Sequence, residues 1–424
     1  MTWSIRRTTR GVGVAVLGVA LALGGATATA AAGTQPKSRP DTRPATRPPV
    51  GAVPTATVPE GFKANSITWL SPKQGWVLGT APCGTKMCSD VIGTTNGAKS
   101  WSLVGRVNTP IALSGSKTKK GVTEIRFATA EVGWAFGPDL YRTTNGGRTW
   151  ASMPIPGQGT QLLDLAANST NVYALTSPCK WATFCRQASS FWRTATLTGS
   201  SWILVMQLPS ISFEPFTDIA VYGQTVYVVV PGGGYGGPTE GSVSTGPLQQ
   251  PPRDGGAPNE LFASTDGRHF SSRPVPCSPF PPYALFQAVP TSATDVALLC
   301  DGNHTFSGAQ KFVYLSANTG RTDTYVGAMD EVGAVAELAV SPSGNLVAAA
   351  WGPDSTVIYI NDTHETTWTM VINKSDGGLG FNDIVYVTDE EAWVVYAPAD
   401  AGPAALGQVF VTHDGGQHWS LAAL

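Results

Sequence analysis

Thr143-Thr144-Asn145-Gly146-Gly147-Arg148-Thr149-Trp150 is a complete turn written in sequence. The Asn side chain can accept hydrogen bonds from backbone N–H groups just downstream, and the glycines take positive φ without steric cost. The terminal Trp then brings a large apolar surface into the next strand. The phrase returns at Thr412-His413-Asp414-Gly415-Gly416-Gln417-His418-Trp419 and, more weakly, at Thr94-Thr95-Asn96-Gly97-Ala98-Lys99-Ser100-Trp101. Two decayed copies follow the same logic. Ser316-Ala317-Asn318-Thr319-Gly320-Arg321-Thr322-Asp323 ends in an acid, and Ser264-Thr265-Asp266-Gly267-Arg268-His269-Phe270 is one residue shorter.

Upstream of each turn lies a second recurring element, an alternating apolar strand followed by a Gly-Trp or Val-Tyr pair and a second apolar run. It is read at Ile67–Leu78, Ile125–Phe136, Leu163–Leu175 and Asp218–Val229, and more faintly at Leu285–Leu299, Leu338–Ala348 and Asp383–Val395. Seven units result. Phe191-Trp192-Arg193 to Ser201-Trp202 and Ile358-Tyr359-Ile360 to Thr367-Trp368 supply degenerate third and fourth strands in units three and six. A unit of this size cannot bury its own apolar face, so its copies must stack. Four strands per unit and no competing helical periodicity predict an all-β chain, a seven-bladed β-propeller of four-stranded antiparallel blades over residues 60–424. The 48 Gly, 32 Pro and 13% charged residues suit many short strands joined by turns.

Residues 1–32 read as a signal peptide. Arg6, Arg7 and Arg10 precede an apolar stretch from Val12 to Leu23, and Ala28-Thr29-Ala30 offers a cleavage site. Residues 33–59, rich in Pro, Thr and Arg, read as a disordered tether. No later apolar run is long enough to span a bilayer, so a secreted or cell-envelope location is expected. The six cysteines fit an oxidising compartment: Cys83 with Cys88, Cys179 with Cys185 and Cys277 with Cys300 are expected as three local disulfides. Zinc is the discounted alternative, since the five histidines show no ligand spacing. Neither a metal nor a cofactor is expected.

Removing the first 59 residues leaves 20 basic and 28 acidic residues. That balance argues against nucleic acid as a partner, because phosphate binding requires clustered Lys and Arg. Lys117, Lys119 and Lys120 form one short basic run, read as solvated surface.

The turn phrase resembles the Asp-box, or BNR repeat, of sialidases, sortilin-type receptors, some endoglucanases and photosystem II assembly factors. Gly-Trp-Val-Leu-Gly and Gly-Trp-Ala-Phe-Gly paired with Thr-Thr-Asn-Gly-Gly-Arg-Thr-Trp are most similar to the last family. The resemblance implies seven blades, a box that is a structural turn on the blade periphery, and binding of protein partners without catalysis. On it, Asn96, Trp101, Asn145, Gly147, Trp150, Asp266, Asn318, Gly320, Asp414, Gly416 and Trp419 are structural turn residues.

Sialidase-like chemistry would require three converging arginines, a Tyr activated by a Glu, an acid/base Asp and an Arg-Ile-Pro segment. Arg126 is followed by Phe127, and the triad cannot be assembled. A carboxylate-pair glycoside hydrolase leaves no comparable signature. Asp164, Asp218 and Asp383 begin first strands and are therefore candidate channel carboxylates, with strand-end capping as their plain alternative. Residues 231–258, Gly- and Pro-rich but holding Tyr235 and Arg253, read as an insertion loop in unit four. The expectation is a secreted, monomeric, non-catalytic scaffold that binds a protein or glycan across one face, with a glycoside hydrolase as the alternative.

Overall fold

The computed structural model describes residues 56–424, except 113–119, 158–159, 179–187, 211–217, 232–258, 278–283, 302–309, 330–334, 353–354, 363–364, 376–379 and 398–406. All its regular elements are strands, in seven sheets. Blade 1 holds β1 (Ala56–Thr57), β2 (Lys63–Ser71), β3 (Gln74–Cys83), β4 (Lys86–Thr94) and β5 (Ser102–Val107). Blade 2 holds β6 (Glu124–Phe127), β7 (Gly133–Phe136), β8 (Leu140–Thr143) and β9 (Ala151–Ser152). Blade 3 holds β10 (Gln161–Ala167), β11 (Val172–Ser177), β12 (Ala188–Thr194) and β13 (Trp202–Ser210). Blade 4 holds β14 (Asp218–Tyr222), β15 (Thr225–Val230), β16 (Glu260–Ser264) and β17 (Ser271–Arg273). Blade 5 holds β18 (Ala284–Pro290), β19 (Val296–Asp301), β20 (Lys311–Ser316) and β21 (Thr324–Met329). Blade 6 holds β22 (Val335–Val340), β23 (Leu346–Gly352), β24 (Ser355–Asn361) and β25 (Thr369–Lys374). Blade 7 holds β26 (Gly380–Tyr386), β27 (Ala392–Ala397), β28 (Gln408–Thr412) and β29 (Ser420–Leu421). Each blade is an antiparallel meander, so the expected seven-bladed propeller is present. Blade 1 carries one strand more than expected, because β1 pairs outside β5 with Ala56 opposite Leu103.

The second strand of each blade is sandwiched between the two neighbouring sheets. Both its faces are therefore buried, and it reads as a continuous apolar run instead of an alternation. β7, β11, β15 and β27 are buried at every position and contribute Trp134, Tyr173, Tyr227 and Tyr396, all fully enclosed. Seven apolar clusters result, one at each junction between neighbouring blades. At about 2–3 kcal/mol for each large side chain buried, these junctions, not the isolated sheets, hold the ring together.

Closure uses no exchanged strand, since blade 1 and blade 7 are each built from one end of the described chain. Ala64 and Gly407 exchange backbone hydrogen bonds of 2.9 and 2.7 Å across the seam. A Cβ at Gly407 would lie 1.8 Å from the Tyr396 carbonyl oxygen, so only glycine fits there. Trp69, Trp101 and Trp393 meet beside this bridge with ring centroids 5.3–6.0 Å apart.

The recurring turn has one hydrogen-bond scheme. In blade 2 the Asn145 and Gly147 N–H groups donate to Thr143 Oγ1 at 3.3 and 2.9 Å, and the Thr149 N–H donates to Asn145 Oδ1 at 3.0 Å. Asn145 Nδ2 donates to Thr149 Oγ1 at 2.8 Å. Blades 1, 5 and 7 repeat the scheme around Asn96, Asn318 and Asp414. In the shorter blade 4 turn Asp266 Oδ1 accepts from Arg268 and His269 instead. His269 and His418 each bond their own turn carboxylate through Nδ1, at 2.6 and 2.7 Å. The blade 1 turn holds Ala98 at φ 58, where Gly147 and Gly416 occupy the matching positions.

The aromatic that ends each turn reaches back into the junction with the preceding blade. Trp101 enters the blade 7/1 cluster, Trp150 the 1/2 cluster, Phe270 the 3/4 cluster and Trp419 the 6/7 cluster. Trp202 and Trp368 do the same in the blades without a recognisable turn. Blade 5 alone places an acid here: Asp323 Oδ1 is buried with no hydrogen-bond partner, and burial pushes its pKa up. Asp323→Trp is expected to raise stability by about 1–2 kcal/mol, read as a higher urea midpoint. A lower midpoint would mean that this junction has no room for the ring.

Disulfides join Cys83 to Cys88 across the β3–β4 hairpin and Cys277 to Cys300 beside β19. Cys179 and Cys185, residues 232–258 of the expected 231–258 insertion loop with Tyr235 and Arg253, and Lys117 and Lys119 lie outside the described residues. So do residues 1–55. No helix among the described residues is long and apolar enough to cross a membrane.

Candidate functional site: the channel ring

The first strand of every blade leaves an edge facing the axis, and its N–H groups need acceptors there. The sequence supplies one per blade, a polar residue immediately before an aliphatic one: Ser66-Ile67, Glu124-Ile125, Asp164-Leu165, Asp218-Ile219, Gln287-Ala288, Glu337-Leu338 and Asp383-Ile384. The aliphatic side chain turns into the blade junction, while the polar one turns toward the neighbouring blade.

Six of the seven junctions are clasped this way. Ser66 Oγ accepts from the Ile125 N–H at 3.1 Å, Asp164 Oδ2 from Ile219 at 2.6 Å and Asp218 Oδ2 from Ala288 at 3.0 Å. Gln287 Oε1 accepts from Leu338 at 2.7 Å, Glu337 Oε2 from Ile384 at 3.2 Å and Asp383 Oδ2 from Ile67 at 3.1 Å. The junction of blades 2 and 3 breaks the rule, because Leu165 donates to Oδ1 of its own neighbour Asp164 at 2.6 Å. Glu124, freed from that bond, meets Arg126 at 2.8 Å. Arg126 also reaches Asp383 Oδ1 at 3.0 Å, spanning blades 2 and 7. Asp383 is held at φ 52, a strained conformation for a non-glycine residue, and its register with β27 shifts at this point.

Among the described residues, five carboxyl groups therefore share the ring with one guanidinium. Burial raises Glu124 to about 7, Arg126 opposing and Asp383 and Asp164 reinforcing the rise. Burial and then Asp218 raise Asp164 to about 7, although two backbone N–H groups pull it down. Asp218 also stands at about 7, and Glu337 at about 8 through burial and the charge of Asp383. Burial works against the charge on Arg126, but Asp383 and Glu124 outweigh it and hold the guanidinium firmly protonated. The Glu124 and Arg126 side chains keep 36% and 34% of their surface open to the channel, so water moderates these fields.

Of the carboxylates expected from the sequence, Asp164, Asp218 and Asp383 each accept a backbone N–H of the next blade at its first strand. Glu124, Glu337, Gln287, Ser66 and Arg126 join them. Their signal, an acceptor one residue before the aliphatic of each first strand, was visible only with all seven first strands aligned. The turn residues stay apart from the ring, between the third and fourth strands of their own blades. Among the described residues no group of three or more His, Cys, Asp or Glu is placed to hold a metal ion. The ring can hold protons near neutral pH and attract cations, while its guanidinium is already paired with Glu124 and Asp383.

These features define a seven-bladed β-propeller with an acidic, clasped channel. No family model and no curated protein matches the chain. Solved structures do. YCF48 bound to a D1 peptide is similar at 13% identity, over 84% of this chain and 95% of that one, with a TM-score of 0.49. A puromycin-hydrolyzing peptidase from Mycobacterium tuberculosis is similar at 12% identity and a TM-score of 0.53, over 87% of this chain and 56% of that one. The GH74 enzyme of Niastella koreensis matches at 11% identity, over 86% of this chain and 72% of that one, with a TM-score of 0.31. At these identities the likeness is one of fold.

Proposed function

We propose that the chain is an exported, non-catalytic Asp-box propeller that binds a protein or glycan partner across one face of the ring. The observation that carries this reading is the clasp pattern. Asp164, Asp218, Glu337 and Asp383 each commit an oxygen to a backbone N–H of the next blade, a structural duty that a catalytic nucleophile would have to abandon. Arg126, the one arginine of the ring among the described residues, is itself held by Glu124 and Asp383, which disfavours the three-arginine carboxylate grip of a sialidase. The two disulfides are compatible with an extracytoplasmic location, and the arginines and apolar run of residues 1–32 support export.

A second reading, a carboxylate-pair glycoside hydrolase, has one observation in its favour. A carboxyl group standing at about 7 is half-protonated at neutral pH and one at about 8 mostly protonated, which suits a general acid. The two readings separate in one experiment. Purified protein is incubated with sialyl, xyloglucan and related oligosaccharides, in parallel with glycan-array and envelope-fraction binding. The scaffold reading expects binding without turnover. Turnover abolished by Glu337→Gln or Asp218→Asn, in variants that keep the wild-type melting curve, would replace it with the hydrolase.

A further inference from the structure

Every blade but one closes its outer corner with an aromatic side chain, and blade 5 puts Asp323 there. In extended backbone, residues two apart share a sheet face, so Asp323 and Tyr325 at the start of β21 point the same way. Tyr314 on β20 pairs across the strands with Tyr325 and therefore joins them. The Tyr314 ring packs against the blade 4/5 apolar cluster, which fixes this face as the one turned toward blade 4. The two tyrosine rings have centroids 5.5 Å apart and planes inclined at 56°.

The protein leaves the polar side-chain atoms of this corner without partners. Asp323 makes no hydrogen bond or ion pair among the described residues, and its Oδ1 is buried. The Tyr314 and Tyr325 hydroxyls likewise bond no other described residue. Tyr325 is 44% exposed and Tyr314 and Asp323 are partly so, which opens the corner to solvent. Arg273 does not supply the missing charge, because its Nε donates to the Thr319 carbonyl at 2.8 Å. Arg321, two residues before Asp323, makes no ion pair with it either. A carboxyl group held in this way costs stability until something pairs with it.

We propose that Asp323, Tyr314 and Tyr325 form a site for the guanidinium group of an arginine presented by a protein partner. The site lies on the outer strands, apart from the channel, and does not depend on whether the ring is catalytic. Charge and shape choose the occupant. An unpaired carboxylate calls for a cation. A metal ion would need several more oxygen ligands than one carboxyl group supplies, and among the described residues no cluster of acids or histidines provides them. The electron-rich faces of two tyrosines favour an organic cation instead. Planes inclined at 56° make a wedge, in which a flat guanidinium can lie against one ring while its N–H fork meets the carboxylate. Its remaining donors are then available to the two hydroxyls. An ammonium group lacks the fork, and a neutral sugar would leave the carboxylate charge unpaired.

The purified protein, with isotope-labelled tyrosine rings, is titrated with a short glycine peptide carrying one central arginine and followed by NMR. Tyr314→Phe and Tyr325→Phe assign the two signals. Both should shift saturably, while that of Tyr222, 46% exposed on β14, stays in place. The same peptide with citrulline for arginine, equal in shape but uncharged, should shift neither. Asp323→Asn should weaken binding about tenfold. Tyr325→Ala removes an exposed ring that the fold does not need, and should weaken binding to a similar degree when read at Tyr314. Wild type that shows no saturable shift, a citrulline peptide that binds as tightly, or binding undiminished in either variant would each overturn the proposal. Tetramethylammonium binding as tightly as the arginine peptide would overturn the choice of guanidinium. A xyloglucan oligosaccharide that shifts both signals where the peptide does not would overturn the proposal in favour of a glycan.

Discussion

Acidification from about pH 8 to about pH 5 is expected to stabilise the propeller by about 2–4 kcal/mol, the reverse of ordinary acid destabilisation. Glu124, Asp164, Asp218 and Glu337 stand at about 7, 7, 7 and 8 in the folded chain, against 4.5, 3.8, 3.8 and 4.5 for the free groups. Between the two sets of values the folded state binds more protons than the unfolded one. The contribution is therefore fully present below about pH 4 and is lost as pH rises through 7 to 8. The four groups interact with one another and share a channel open to water, so their effects fall well short of a simple sum. Below about pH 4 the turns act in the opposite direction. Asp414 is held down at about 2, first by the His418 backbone N–H, and Asp266 is depressed by the same kind of bond from His269. Stability should therefore peak near pH 5, measured as urea midpoints at fixed ionic strength. A midpoint that climbs steadily from pH 5 to pH 8 would contradict the ring electrostatics. In Asp218→Asn the slope between those values should become shallower.

Trp393→Ala is expected to cost about 3–5 kcal/mol, the range for truncating a large buried aromatic. Trp393 is 3% exposed and touches both Trp69 and Trp101 at the one junction that joins the two ends of the described chain. Hydrogen bonds at this seam include the Ala64–Gly407 pair and the clasp from Asp383 to Ile67. Hydrogen exchange should accelerate first in β2 and β26, because these strands lose the neighbour that buries them. An equal acceleration in all seven blades would show instead that the ring opens as one unit.

Strand order and blade number were legible in the chain because each blade repeats the same local requirements. Thr143, Asn145 and Gly147 build a turn from atoms within a few residues, and the Gly-Trp-Ala-Phe run of β7 is apolar throughout because both its faces are covered. Asp323 was equally visible as a departure from the aromatic, although not what its carboxyl would meet. The ring was only partly legible. Asp164, Asp218 and Asp383 stand out as acids in apolar strands, whereas Ser66 and Gln287 look like ordinary polar residues until the neighbouring blade is in place. Glu124 and Arg126 are two residues apart, but their partner Asp383 lies at the other end of the propeller. No local pattern announces a meeting of that kind. β1 escaped notice because two residues, Ala56 and Thr57, carry no periodicity of their own.

The sequence by itself determined the strands, the turns, the seven-fold repetition and the continuous apolar character of each second strand, since all of these follow from contacts made within one blade or from the need of one blade to hide its faces. The tertiary structure alone decided which acids converge, what each carboxyl oxygen bonds, and that the ends meet through three tryptophans without a shared strand. Those outcomes depend on distances between residues far apart in the chain, and a proton held at neutral pH by Glu337 exists only once the neighbouring blades have removed water and brought Asp383 beside it.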